Sequence, residues 1–208
     1  MWVDLYVRPE DEAELEEMLS LHRRMGYKIV GVDKGFLQTR GEVALIASRE
    51  LGVKIIPVEV LEPRNVGEAR AALRRVRRGE LTLGRPRNPQ LFRLFSRDSR
   101  VRVLEVCPKL SWGIDAPGAE LMRRGSTVIG VDLSLLLERV ERLAWLSELI
   151  ARATKHAVPL TVYSGARTWD MLWHPAHVRA LVESLGFPGS LAASALRPAF
   201  IELTELRA

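Results

Sequence analysis

Short runs of apolar, often β-branched residues alternate with stretches of helical apolar spacing from the first residue almost to the last. A period that switches repeatedly between about 2 and about 3.6 residues restricts the fold more than any other feature of the chain. Each strand must be followed by a helix that crosses back over the sheet. Such repeated units build a parallel sheet flanked by helices, with right-handed connections.

The pattern predicts strands at residues 1–7, 28–32, 53–60, 81–84, 101–106, 127–133, 158–163 and 200–203. Helices are predicted at 9–25, 41–51, 65–79, 88–95, 116–124, 135–156, 176–185 and 191–196. Local chemistry supports several boundaries. Pro9 and the acids Glu10, Asp11, Glu12 and Glu14 suit a helix start, and Gly26 suits a stop. Asn65 with Glu68 has the spacing of a capping box. Leu136, Val140, Leu143, Leu146 and Ile150 would share one side of a long helix.

Eight strands allow closure into a (β/α)₈ barrel, and 208 residues lie near the small end of the range for one. The chain is read as an α/β, TIM-barrel-like single domain over residues 1–208, with no repeat, low-complexity tract or linker dividing it. An open doubly wound sheet is the alternative. No Gly-x-Gly-x-x-Gly follows a predicted strand and there is no P-loop, which removes the usual nucleotide-binding readings of that sheet. No apolar run reaches membrane-spanning length, so no membrane is expected as a partner. The start, Met1-Trp2-Val3-Asp4, runs into an acidic stretch and does not read as a signal peptide. Cys107 stands alone and allows no internal disulfide, which suits a reducing, cytoplasmic compartment.

The charge is unevenly placed. Residues 1–62 carry 8 basic and 12 acidic side chains, and residues 103–208 carry 11 of each. Residues 63–102 carry 12 arginines against Glu68, Glu80 and Asp98, so the whole positive excess lies there. Of 31 basic residues, 26 are arginine. A GC-rich genome or a thermophilic origin accounts for that ratio but not for the clustering. The guanidinium fork matches phosphate oxygens in pairs, so the middle segment reads as a phosphate-facing surface. Arg74, Arg77 and Arg78 would project from the predicted helix 65–79, Arg85 and Arg87 from the loop after the next strand. These are the candidate RNA contacts, together with Arg167.

Arg167 follows Ser164-Gly165-Ala166 at the end of the seventh predicted strand. Small residues there would let backbone N–H groups approach an anion, as loops late in a barrel often do. A tight turn that needs glycine, with a surface arginine, explains the same residues. Asp170, His174 and His177 are spaced like weak metal ligands, but Pro175 between the histidines suits a helix N-terminus with two surface imidazoles. His22 sits on the apolar face of the first helix and reads as a packed core-edge residue. His156 at a helix end suits the dipole. Cys107 has no assignable histidine and reads as a small buried residue rather than a nucleophile. Trp112, Trp169 and Trp173 lie in predicted loops, placed to stack on bases, to fill an interface or to cap the core.

One stretch carries a family likeness. Val158-Pro159-Leu160-Thr161-Val162-Tyr163-Ser164-Gly165-Ala166, followed by His174-Pro175 and Leu185-Gly186-Phe187, resembles the C-terminal signature of the RNase P protein component 3 family. That family is the archaeal counterpart of the thirty-kilodalton eukaryotic RNase P subunit. Asp4-Leu5-Tyr6-Val7 and Gly26-Tyr27 are similar too. The chain departs from the family at two strand ends, with Gly130-Val131-Asp132-Leu133 at one and Arg102 in place of an acid at the other.

The resemblance implies a barrel related to the PHP metal-dependent phosphoesterases. It implies a role as a subunit of ribonuclease P, the ribonucleoprotein endonuclease that removes the 5′ leader of precursor tRNA. The partners so implied are the RNase P RNA, pre-tRNA and other RNase P proteins, above all a small RRM-like one. Catalysis would belong to the RNA with Mg²⁺, so no catalytic residue and no bound cofactor or metal is assigned to this chain. PHP enzymes begin with His-x-His on the first strand, where this chain has Asp4 and Tyr6. The rival readings are a small metal-dependent phosphoesterase on the same barrel and an enzyme acting on a phosphorylated metabolite through the Gly165-Ala166-Arg167 loop.

Overall fold

The computed structural model describes residues 1–77, 80–108, 114–139 and 141–198. The class is α/β and TIM-barrel-like, with one sheet of seven strands in sequential order. The strands are β1 (Trp2–Val7), β2 (Tyr27–Asp33), β3 (Lys54–Leu61), β4 (Leu81–Gly84), β5 (Val103–Glu105), β6 (Val128–Asp132) and β7 (Leu160–Tyr163). The pairs β1–β2, β2–β3, β4–β5 and β5–β6 are parallel. The helices are α1 (Glu12–Arg24), α2 (Lys34–Leu51), α3 (Val66–Arg75), α4 (Pro89–Arg97), α5 (Ala116–Gly125), α6 (Ser134–Glu138), α7 (Arg142–Lys155), α8 (Pro175–Ser184) and α9 (Gly189–Ala195). The expected eighth strand, 200–203, lies outside the described residues.

The chain forms two compact units. The first comprises Met1–Val58 and the chain from Thr161 onward. Its core joins Val7, Val30 and Val32 of the sheet to Leu15, Met18 and Leu19 of α1 and to Ala44 and Ala47 of α2. Burying each of those large α1 side chains is worth roughly 1.5–3 kcal/mol. The strands approach so closely that a Cβ on Gly31 would lie 2.0 Å from the Leu5 carbonyl oxygen, so only glycine fits there. Beyond β7 the backbone runs hydrogen-bonded beside β1: Gly165 N–H donates to the Tyr6 carbonyl (3.1 Å) and Arg8 N–H to the Ala166 carbonyl (2.9 Å).

The second unit is Glu59–Leu160. Its α4 is strongly amphipathic and buries Leu91, Phe92, Leu94 and Phe95. Asn88 caps that helix by accepting from Leu91 N–H, with Pro89 in its first turn.

Three predicted helices differ most from those observed. The helix predicted at 41–51 begins at Lys34, because the Asp33 carboxylate accepts from Phe36 N–H (3.1 Å) and caps it seven residues earlier. A kink at Arg40 marks the place where the sequence pattern begins. The long helix predicted over 135–156 is two, α6 and α7. The backbone is extended at Arg139, and the Arg142 guanidinium donates to the freed Leu135 carbonyl (2.6 Å). Helix α3 stops at Arg75, with Val76 extended, short of the predicted end at 79. Glu80 competes for the chain there: its carboxylate accepts from Arg77 N–H (3.0 Å) and its own N–H donates to the Arg77 carbonyl (3.3 Å). Arg77 therefore lies beyond the helix rather than on it.

Candidate nucleic-acid interface

The arginine-rich segment falls wholly within the second unit. Asn65 caps α3, its side chain accepting from Glu68 N–H (2.9 Å), while the Glu68 carboxylate reaches one residue past the expected capping box and accepts from Arg64 N–H (2.9 Å). That fixes the helix phase. Ala69 and Leu73 face inward, and Arg70, Arg74 and Arg75 face solvent. Helix α4 packs beside α3 and ends at Arg97.

After α4 the chain turns through Asp98 and Arg100. The Arg100 guanidinium holds Asp98 with two hydrogen bonds, Nε to Oδ1 (2.9 Å) and Nη2 to Oδ2 (2.7 Å). Its third arm donates to the Leu73 carbonyl near the end of α3 (2.8 Å). These bonds hold the Asp98 carboxyl below the usual carboxylate range, against a smaller opposing effect of burial. Arg70, Arg74, Arg97, Asp98 and Arg100 line one groove of about 550 Å³ between the two helices. Among the described residues, Arg70, Arg74 and Arg97 have no carboxylate within ion-pair distance.

Arg74 is the one sequence candidate that lines this groove. Arg77 is exposed on the turn after α3, and Arg78 lies outside the described residues. Arg85 is largely covered and pairs with Glu105 at the end of β5 (2.9 Å). Arg87 is exposed and pairs with Glu62 (2.8 Å). A phosphate at either of those two would have to displace a carboxylate.

Arg167, exposed, and the buried Ser164, Gly165 and Ala166 belong to the first unit. The three small residues have their N–H groups committed internally. Ser164 N–H donates to Asp4 Oδ1 (3.0 Å), Gly165 N–H to the Tyr6 carbonyl, and Ala166 N–H to Ser164 Oγ (3.3 Å). Gly165 has a φ of +62°, which the turn needs and which glycine adopts without strain. Locally these residues form a joint between β7 and β1, with Arg167 at its outer end.

Around that joint lies a buried polar cluster. Asp4 Oδ2 accepts from Ser164 Oγ (2.6 Å) and lies 3.0 Å from His22 Nε2. His22 Nδ1 is 2.8 Å from the Met18 carbonyl, which can only accept, so that nitrogen carries a hydrogen. Burial pushes the nearby Tyr27 phenol far up, with the Asp4 carboxylate adding to the effect. The Tyr27 hydroxyl donates to the Trp173 carbonyl (2.8 Å). His22 is thus a fully buried polar residue rather than one at the core edge. Here Asp4 stands between serine and histidine, so His22 does not reach the serine hydroxyl and the order of a Ser-His-Asp triad is not formed.

No three His, Cys, Asp or Glu side chains converge to hold a metal among the described residues. His174 caps α8, its Nδ1 accepting from Ala176 N–H (3.1 Å), and its ring lies 5.6 Å from that of His177. The described residues do not fit the ligand set of a PHP metal site. Cys107 is half-buried rather than buried. Trp169 is exposed and Trp173 partly so; Trp112 lies outside the described residues. No helix among those described is long and apolar enough to cross a membrane.

Several solved structures share this architecture, these two among them. One is a chain in the cryo-EM structure of archaeal ribonuclease P with mature tRNA, with TM-score 0.80, 18% identity, and coverage of 99% of this chain and 90% of that one. The chain shares its fold with a component of archaeal RNase P. The other is an uncharacterized protein known from a crystal structure, with TM-score 0.57, 12% identity, and coverage of 99% and 74%. No family model matches the sequence. No curated protein matches it either.

The sequence reading missed the convergence of Arg70, Arg97, Arg100 and Asp98. Arg70 was visible as a flank residue of its helix, and the Asp98-x-Arg100 spacing was a signal for a local ion pair. Nothing in the order of residues places the end of α4 against that of α3.

Proposed function

We propose that this chain is a protein subunit of a ribonuclease P, binding RNA and partner proteins in an assembly that removes the 5′ leader of pre-tRNA. The observation that carries this reading is the shared fold with a component of archaeal RNase P over nearly the full length of both chains. The family-like stretch from Pro159 to Phe187 and the arginine cluster support it independently.

In this reading the chain's own residues do no bond-breaking. Exposed arginines, with Arg74, Arg77 and Arg167 foremost, neutralise phosphates and release condensed counterions. Neutralisation lets RNA strands approach that would otherwise need more Mg²⁺ to screen them. The Mg²⁺ that serves the reaction belongs to the RNA, and this chain holds no cofactor. The remaining surface meets the other protein subunits, a small RRM-like one among them. A metal-dependent phosphoesterase on this barrel lacks support, since its converging ligands are missing among the described residues.

The test is purification of the native protein from its source under mild salt. Co-purification of a structured RNA that cleaves pre-tRNA at the 5′ leader is the expected result. A preparation free of such RNA, with full recovery of the protein, overturns the proposal.

A further inference from the structure

We infer that the groove between α3 and α4 is the seat of an RNA phosphate backbone on this protein, with Arg70, Arg74 and Arg97 as its ligand-facing cations. The inference rests on the reading of the chain as an RNA-binding subunit and names the surface that does the binding.

The groove carries four guanidinium groups and one carboxylate, and that carboxylate is already taken by Arg100. Arg70, Arg74 and Arg97 stand exposed around one concavity that also includes Leu73 and Leu94. Their like charges repel one another, and an anion seated among them relieves that repulsion. Helix-dipole compensation explains one cation at the end of α3, and Arg100 fills that role through the Leu73 carbonyl. It leaves Arg70 unexplained, one full turn further back.

Geometry favours a phosphate chain over a single anion. Arg70 and Arg74 are four residues apart on one helix, so they stand about 6 Å apart along the groove wall. Arg97 comes from the other helix. Cations staggered along one wall and opposed from the other suit a chain of successive charges lying in the groove. Among the described residues no aromatic side chain lines it, so bases have nothing to stack on there and the contact is with the backbone, independent of sequence. Arg100, locked to Asp98 and Leu73, holds the two helix ends in register before the ligand arrives.

The experiment uses the full chain and a fluorescent single-stranded oligouridylate, with affinity read by anisotropy across a salt series. The variants are Arg70→Ala/Arg97→Ala and, as a control, Arg93→Ala, an exposed position on α4 that does not line the groove. Circular dichroism confirms that each is folded. The double variant should bind at least about tenfold more weakly at low salt. Its slope of log K against log salt should be shallower by about 1.4, two phosphates at roughly 0.7 each. Inorganic pyrophosphate should compete with the oligonucleotide on the wild type and lose that ability on the double variant.

An unchanged slope in the double variant, with the wild type binding RNA normally, overturns the groove and leaves the functional reading standing. Unchanged RNA binding with lost binding of a polyglutamate peptide assigns the groove to an acidic protein partner and overturns it as well. A wild-type chain that binds no RNA at any salt overturns the functional reading itself.

Discussion

Ser164 donates its hydroxyl to Asp4 Oδ2 across 2.6 Å, joining residues 160 positions apart in the chain. Asp4 also takes the Ser164 N–H and faces His22, and all three side chains are buried. The cluster ties β1, α1 and the end of β7 together. The residues that open the family-like loop therefore work first as an internal joint.

Removal of the shared acceptor should be costly. Asp4→Ala leaves His22 and Ser164 without their carboxylate in a dry site, and should destabilise the protein by about 3–5 kcal/mol. Ser164→Ala should cost about 1–3 kcal/mol, since Asp4 keeps the backbone N–H and His22. Urea denaturation should show a lower midpoint with an unchanged slope for both. An Asp4→Ala midpoint equal to that of the wild type would contradict this role for the cluster.

Asp98 makes stability pH-dependent in a definite direction. Arg100 lowers its carboxyl in the folded state, so the unfolded state binds the proton more readily. The contribution is then fully present above the ordinary carboxylate range and disappears as pH falls through the lowered folded value. With the pair partly solvated, Asp98→Asn should cost about 1 kcal/mol at neutral pH. The difference from wild type should shrink toward zero on acidification. A gap that widens with acid would show that the Arg100 pair does not stabilise the fold.

Much of the fold was legible because strand–helix alternation is a local property. Seven of the eight predicted strands are present, since β-branched runs between helices leave few alternatives. What was not legible depended on single capping events: Asp33 starts α2 early, and Glu80 turns the chain at Arg77. The candidate site was legible as a segment and not as a surface. Clustering flagged residues 63–102, yet pairing with Glu105 and Glu62 engages Arg85 and Arg87. Those carboxylates lie outside the segment, so no inspection of it alone reveals the pairs.

The isolated protein should have no nuclease activity and hold no stoichiometric transition metal. Purified chain incubated with pre-tRNA and Mg²⁺ or Mn²⁺, without added RNA, should leave the substrate intact, and elemental analysis should find no zinc or manganese. Specific 5′ cleavage that follows the protein through purification would revive the phosphoesterase reading.

Arg74→Ala/Arg77→Ala should remain folded, because both positions are exposed. Each phosphate that is no longer neutralised should reduce the salt slope of RNA binding by somewhat under one, on the order of 0.7–0.9. If these arginines instead dock an acidic patch on a partner subunit, the variant will lose partner binding at low salt and keep its RNA affinity. An unchanged value of both would leave them a solvated face.

The most direct measurement of the central claim is reconstitution. RNase P RNA from the same source is assembled with its other protein subunits, with and without this chain, and 5′ cleavage of pre-tRNA is followed across a Mg²⁺ series. The chain should raise cleavage at low Mg²⁺ and shift the half-maximal Mg²⁺ concentration downward, and Arg70→Ala/Arg97→Ala should give back part of that shift. Identical Mg²⁺ profiles with and without the chain would contradict its role as a working subunit.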